Sequence, residues 1–166
     1  MRAGTERNLG HDYLLDIDAR YEESARITSP TPWDIINELM QGGLGAGELG
    51  VIVSPAGIGK TWVLCAMGAY AISQKLNVVH YTLELNEAYV GLRYDSIFSG
   101  FEGQNLKYHK EEVMEKLFKL DGKLTIKYYP TKSCTVNTLS AHLKKAMTFG
   151  EKIDMVIVDY ADIMRD

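Results

Sequence analysis

The eight residues Ser54-Pro55-Ala56-Gly57-Ile58-Gly59-Lys60-Thr61 constrain this chain more than any other stretch. They follow a short apolar segment, Leu49 to Val53, which reads as a strand. They precede a long apolar run, Trp62 to Ile72, which reads as a helix. Strand, glycine-bearing turn, Lys-Thr and helix is the layout of a phosphate-binding loop. Gly57 and Gly59 lack a Cβ, so the backbone can bend sharply and bring N–H groups close to phosphate oxygens. The helix that starts here adds its free N–H groups and the positive end of its dipole. Lys60 is placed to reach β- and γ-phosphates, and the Thr61 hydroxyl to sit on Mg²⁺. The usual pattern begins with Gly; here that position is Ser54, which can hold the first turn if its φ stays negative. A chance Gly-Lys-Thr at an ordinary junction is the plain alternative. The apolar flanks on both sides favour a nucleotide, bound by residues 54–61 and Trp62.

Composition narrows the class. The 166 residues suffice for one domain with a real core, and 46% hydrophobic against 24% charged residues is a globular balance. No apolar run is long enough to span a membrane, and the N-terminus lacks a basic-then-apolar leader, so a cytoplasmic location is expected. A net charge of −4 offers no overall basic field for nucleic acid. The two cysteines, Cys65 and Cys134, fit no metal spacing, and the four histidines are scattered. Cys65 reads as a small core residue. The ten tyrosines read first as packing residues.

Residues 1–30 are a polar lead-in with a weak apolar stripe at Leu14, Ile17 and Tyr21, which permits a short helix within 11–24. The core is expected over 31–166. Thr31-Pro32-Trp33-Asp34 reads as a capped helix start, with Ile35, Ile36 and Leu39 on the buried side and Gly42-Gly43 as the stop. The helix from Lys60 to about Lys75 is expected to bury Val63, Ala66, Met67 and Tyr70, with Leu64, Ala71 and Ile72 widening that face. Its small residues Ala66, Gly68 and Ala69 allow close approach to a sheet. Val78–Leu83 is a second strand, and Asn86 caps a helix to about Ser99 with Val90, Tyr94 and Ile97 inward. After a polar loop over 100–109 comes an amphipathic helix, 110–120. It presents Val113, Met114, Leu117 and Phe118 on one side and Glu112–Lys116 and Glu115–Lys119 pairs on the other. Leu124, Ile126 and Tyr128 alternate as in an edge strand. A helix follows over about 135–149, then Met155–Val158 runs into Asp159. This order predicts an α/β fold, a mainly parallel sheet with helices on both faces.

Two carboxylates stand where chemistry needs them. Asp159 ends an apolar strand, and strand C-termini face the ligand crevice in such sheets. There it can hold Mg²⁺ through water beside Thr61. Glu84 ends the second strand at the same rim and fits the base that deprotonates an attacking water. A plain helix-start carboxylate is the alternative, and Glu87 suits that role better. Asp162 and Asp166 are assigned nothing.

With these residues in view, a family resemblance emerges. YTLELNEAYVGLRYDSIFSG (81–100) and MVIVDYADIM (155–164) resemble the corresponding segments of DnaB-type replicative helicases. So does TPWDIINELMQGGLGAGELGVIVSPAGIGKT, and GKLTIKYYPTKSCTVNTL (122–139) is similar to the tailed-phage branch of that family. The resemblance covers roughly residues 10–166 and implies a RecA-like P-loop fold. It further implies a hexameric ring, ATP with Mg²⁺ between subunits and single-stranded DNA in the channel. Glu84 would be the catalytic base and Asp159 the metal carboxylate. Arg93 falls where the family often has an Arg, and residues 11–24 match a helix that docks on the next subunit.

The sequence ends seven residues after Asp159. In the family, the strand after that point lies between the P-loop strand and the Asp159 strand. A gap between residues 49–53 and 155–159 is therefore expected, in a fold incomplete at its C-terminus. The leading expectation is the ATPase-core part of a phage-type replicative helicase. The alternatives are a RecA-like recombination or repair ATPase, and a nucleotide-binding or oligomerisation module without turnover.

Overall fold

In the computed structural model, residues 12–22 and 27–165 are described. In chain order they form α1 (Ile17–Glu22), β1 (Thr28–Ser29), α2 (Asp34–Leu39), β2 (Leu44–Gly45), α3 (Lys60–Ser73), β3 (Val78–Thr82), α4 (Glu87–Ser99), α5 (Lys110–Leu117), β4 (Leu124–Tyr128), α6 (Val136–Thr148) and β5 (Met155–Asp159). β1 and β2 pair in a small antiparallel ribbon. The main sheet has the order β4-β3-β5, all parallel. Among the described residues no helix is long and apolar enough to cross a membrane.

β3 is the centre. All five of its residues are buried, as a strand covered on both faces demands. Val78 packs toward α3 and α4, with Cys65, Ala69, Ile72, Val90 and Ile157. Val79 and Tyr81 face the other way, into a second core with Leu83, Cys134 and Leu139. The Tyr81 hydroxyl reaches His142 Nδ1 of α6 at 2.7 Å. Helices therefore cover both faces, as expected. β4 lies at the edge, also as its alternation predicted.

α3 lies close over β5 because Gly68 has no side chain. A methyl there would overlap the Tyr94 hydroxyl and press on Ile157 Cδ1 at 3.0 Å. The Tyr94 hydroxyl shares a hydrogen bond of 2.9 Å with His80 Nδ1. α4 starts and stops where expected: the Asn86 side chain accepts from Tyr89 N–H at 3.0 Å, and Gly100 closes the helix at φ 80°. α6 begins in a capping box, Thr135 with Thr138.

Several expectations fail for one shared reason: amphipathic segments find no surface to bury against. Residues 49–53 form no strand; Leu49, Val51 and Val53 are 86%, 72% and 88% exposed. β5 pairs with β3 alone among the described residues, so the expected gap beside 49–53 stands and the ladder that would hold this segment extended is missing. α2 buries none of its residues, and Ile35 and Leu39 are exposed. Its N-cap is Trp33, without a side-chain cap. Thr31 instead folds into a turn, its hydroxyl accepting from Trp33 N–H at 3.2 Å, and is held by Asn37 through Asn37 Nδ2 to Thr31 O at 2.8 Å. Ile97, Met114 and Phe118 are exposed rather than inward. α1 covers part of 11–24; its Ile17 and Tyr21 are exposed, and residues 11, 23 and 24 lie outside the described ones.

On α3 the buried residues are Cys65, Gly68, Ala69, Ala71 and Ile72, while Val63, Ala66, Met67 and Tyr70 are only half-buried. The smallest side chains face the sheet, since they permit the closest approach. The Glu115–Lys119 pair forms at 2.9 Å. The predicted Glu112–Lys116 pair does not: Glu112 meets His109 at 2.7 Å, and Lys116 caps the Ser99 carbonyl at 2.6 Å. The 100–109 loop contains a 3-10 turn, Leu106–Tyr108, pinned by buried Leu106.

Two measurements check this packing. Gly68→Ala should destabilise the fold by about 1–3 kcal/mol, the usual cost of overpacking. The penalty should shrink in a Tyr94→Phe background, read as a non-additive shift in thermal midpoint. The second concerns His80, whose pKa burial, and then the Arg93 guanidinium, pulls down from 6.5 to about 4. Between those values the unfolded chain takes up a proton that the folded one refuses. Stability present above pH 6.5 should therefore fall as pH drops toward 4. Denaturant titrations should show that slope flattened in His80→Phe.

Candidate functional site

The turn 54–61 is shaped by two left-handed glycines. Gly57 has φ 79° and Gly59 φ 101° with ψ 22°. A Cβ at either would touch nothing within 4 Å, so the backbone angle, not space, calls for glycine. Gly59 is the N-cap of α3 and offers no side-chain cap. Its carbonyl accepts the first helical bond, from Val63 N–H at 3.1 Å. The earlier N–H groups of the first turn have no intrahelical acceptor, and the positive end of the helix dipole points out with them. That is the electrostatic setting for an anion.

Lys60 folds back over this turn, its Nζ donating to Ser54 O at 3.2 Å. The same ammonium stands 4.8 Å from the centroid of the Tyr160 ring. Tyr160 directly follows Asp159, so the turn and the end of β5 meet at Lys60. Ser54 and Thr61 are half-buried, and Pro55, Ala56 and Ile58 are exposed. Trp62 is 45% exposed, with the Arg93 guanidinium 5.2 Å over its ring.

Asp159 lies level with Thr82 in the ladder, and Leu83 N–H donates to its carbonyl at 2.9 Å. That bond carries β3's exit alongside β5 and delivers Glu84 to the same end of the sheet. The Asp159 residue is 2% exposed. Among the described residues its carboxylate has neither a hydrogen-bond donor nor an ion-pair partner. Its carboxylate oxygens are not sealed from solvent, so a cation or its waters can reach them. Glu84 is exposed and also unpaired among the described residues.

Behind Asp159 the site is dry. Cys65 is fully buried, and its thiol is pushed up to about 12 by burial, opposed by Arg93 and reinforced by Asp159. The Tyr94 hydroxyl is likewise pushed well above its usual value, mainly by burial and further by Cys65 and Asp159. Both groups stay protonated beside Asp159.

The donor set suits magnesium. One hydroxyl, Thr61, and one carboxylate, Asp159, are hard oxygen donors, and the described residues hold no group of three or more His, Cys, Asp or Glu that could cage a metal. Magnesium characteristically keeps waters and substrate oxygens around so few protein ligands.

Sequence reading missed three contacts: Tyr160 under Lys60, the Tyr94–His80 bond, and Arg93 on Trp62. Only the first left a trace, as the residue beside Asp159.

A glycine turn opening onto a helix, beside a parallel sheet that presents carboxylates at its C-terminal end, defines a RecA-like P-loop α/β domain. Residues 30–166 match the family "DnaB-like helicase C terminal domain", and the chain belongs to that family. It is also similar to the DnaB-like replicative helicase of Enterobacteria phage T4, with 25% identity over 177 residues. That match covers 95% of this chain and 35% of the phage protein, so the chain spans about a third of that relative's length.

The unpaired carboxylate yields a test. Asp159→Asn should leave the thermal midpoint of the nucleotide-free chain close to the parent's and remove any stabilisation by magnesium with nucleotide. Stabilisation by magnesium with nucleotide kept in full would show that the carboxylate holds no metal.

Proposed function

We propose that this chain is the ATP-binding and hydrolysing part of a phage-type replicative DNA helicase, which unwinds duplex DNA by ATP-driven movement along a single strand. The observation that carries this reading is the meeting of Lys60 with the end of β5, where Asp159 and the exposed Glu84 emerge together. Family membership and the named phage relative support it.

In this reading the N–H groups of the 54–61 turn and the start of α3 hold the phosphates. Lys60 leaves the Ser54 carbonyl for the β- and γ-phosphate oxygens. Magnesium, when bound, would draw charge from those oxygens; Thr61 would hold it directly and Asp159 through water. Glu84 accepts a proton from a water while that water's oxygen bonds to the γ-phosphorus and the bond to ADP breaks. Glu84's exposure suits this role, since it must first meet bulk water. Hexamer formation, single-stranded DNA in a central channel and docking of the 11–24 helix on a neighbouring subunit complete the proposal.

Two variants test the roles separately. Lys60→Ala should weaken ATP binding at least tenfold, measured with a fluorescent nucleotide. Glu84→Gln should leave ATP affinity near normal, while phosphate release in the presence of oligothymidylate falls by about 10²-fold or more. Unchanged ATP affinity in the first variant sinks the phosphate-loop assignment; unchanged turnover in the second sinks the base.

A further inference from the structure

Between β3 and α4 the chain makes a bend over residues 83–85, and Glu84 sits at its middle. A bend lacks the repeating backbone bonds that fix a strand or a helix, so its peptide groups need other partners. Here they find them on neighbouring strands. Leu83 N–H donates to the Asp159 carbonyl at 2.9 Å, and Tyr129 N–H to the Thr82 carbonyl at 3.0 Å. Two threonine hydroxyls complete the set. Thr82 Oγ1 donates to the Leu85 carbonyl at 2.7 Å. Thr131 Oγ1, from the segment after β4, donates to the Leu83 carbonyl at 3.2 Å. The carbonyls on either side of Glu84 are thus each held by a hydroxyl.

The backbone of this bend is fixed while the Glu84 side chain is not. Leu83 is fully buried among Val79, Tyr81, Cys134 and Leu139. Glu84 is exposed, and with no partner its carboxylate takes its direction from its backbone torsions and its rotamer. Thr82 is the more telling of the two threonines. It is fully buried, so its hydroxyl meets neither solvent nor nucleotide. Valine has nearly the same shape and suits a buried strand as well, whereas a buried hydroxyl is costly unless bonded. The bond that Thr82 makes spans Glu84, from the last residue of β3 to the residue before the Asn86 cap of α4.

We propose that Thr82 is a positioning residue for Glu84. Its hydroxyl holds the 83–85 bend so that the Glu84 carboxylate faces the water that attacks the γ-phosphate, and Thr131 steadies the other side of the same bend. The proposal rests on the reading of Glu84 as the base. A misplacement of about 1 Å costs on the order of 10²-fold in rate, so the hydroxyl should matter for turnover and not for ATP affinity.

The test uses the whole chain. Thr82→Val removes the hydroxyl and keeps the branch; Thr82→Ser keeps the hydroxyl. Without nucleotide, Thr82→Val should speed amide hydrogen exchange over residues 82–86 by about threefold or more and leave α3 unchanged, while Thr82→Ser exchanges like the parent. This measurement needs no turnover and decides by itself whether the hydroxyl holds the bend. With magnesium and oligothymidylate, Thr82→Val should lower kcat for ATP about tenfold or more and leave KM within about twofold, and Thr82→Ser should recover most of the loss. In a Glu84→Gln background Thr82→Val should cost nothing further, because a residue that acts through Glu84 then has nothing to aim. Parent-like exchange in Thr82→Val overturns the proposal. So does a raised KM with kcat kept, or a further loss on top of Glu84→Gln. If Glu84→Gln alone turns over normally, the base reading fails first and takes this one with it.

Discussion

The two-sided hydrogen bonding of β3 sets the height at which every chemical group emerges. Val78–Thr82 pairs in register with Leu124–Tyr128 on one side and Met155–Asp159 on the other. Because the ladders are parallel, all three strands end at one rim, and the bond from Leu83 N–H to the Asp159 carbonyl keeps the next residue, Glu84, there too. α3 must then cross this sheet closely enough to bring Lys60 to the same place. Gly68 permits that crossing, with the Tyr94 hydroxyl filling the space a side chain would have taken. Site geometry is thus a by-product of core packing.

What the sequence made legible was whatever is encoded locally. Asn86 and Gly100 bracket α4 by cap chemistry, Val78–Thr82 is apolar or β-forming at every position but His80, and the glycines of the turn need positive φ. That Asp159 and Glu84 lie at one end of the sheet was legible because strand ends are readable and parallel order places those ends together. What failed was the inference from an apolar stripe to a buried face. Ile35, Leu39, Val51 and Phe118 satisfy periodicity yet lie in water, since burial needs a partner surface that periodicity cannot supply. The Arg93–Trp62 and Tyr94–His80 contacts lie 31 and 14 positions apart in the chain (93 − 62 and 94 − 80). No local pattern announces such pairs.

The surroundings of Asp159 are low in charge. Asp159 stands beside a neutral thiol and phenol, with no basic partner among the described residues. Membership of the DnaB-like helicase C terminal domain family gives that arrangement a context.

The two margins of the sheet are unequal. On the β4 side, the Glu87 carboxylate takes the Tyr128 N–H at 3.0 Å, and α4 packs along that strand. On the β5 side, the backbone of Met155–Asp159 meets no neighbour beyond β3 among the described residues, and Val156 is 42% exposed. Lateral growth of the sheet is thus directional: one flank is sealed by an acidic plug, and the other still offers its peptide groups to an incoming strand.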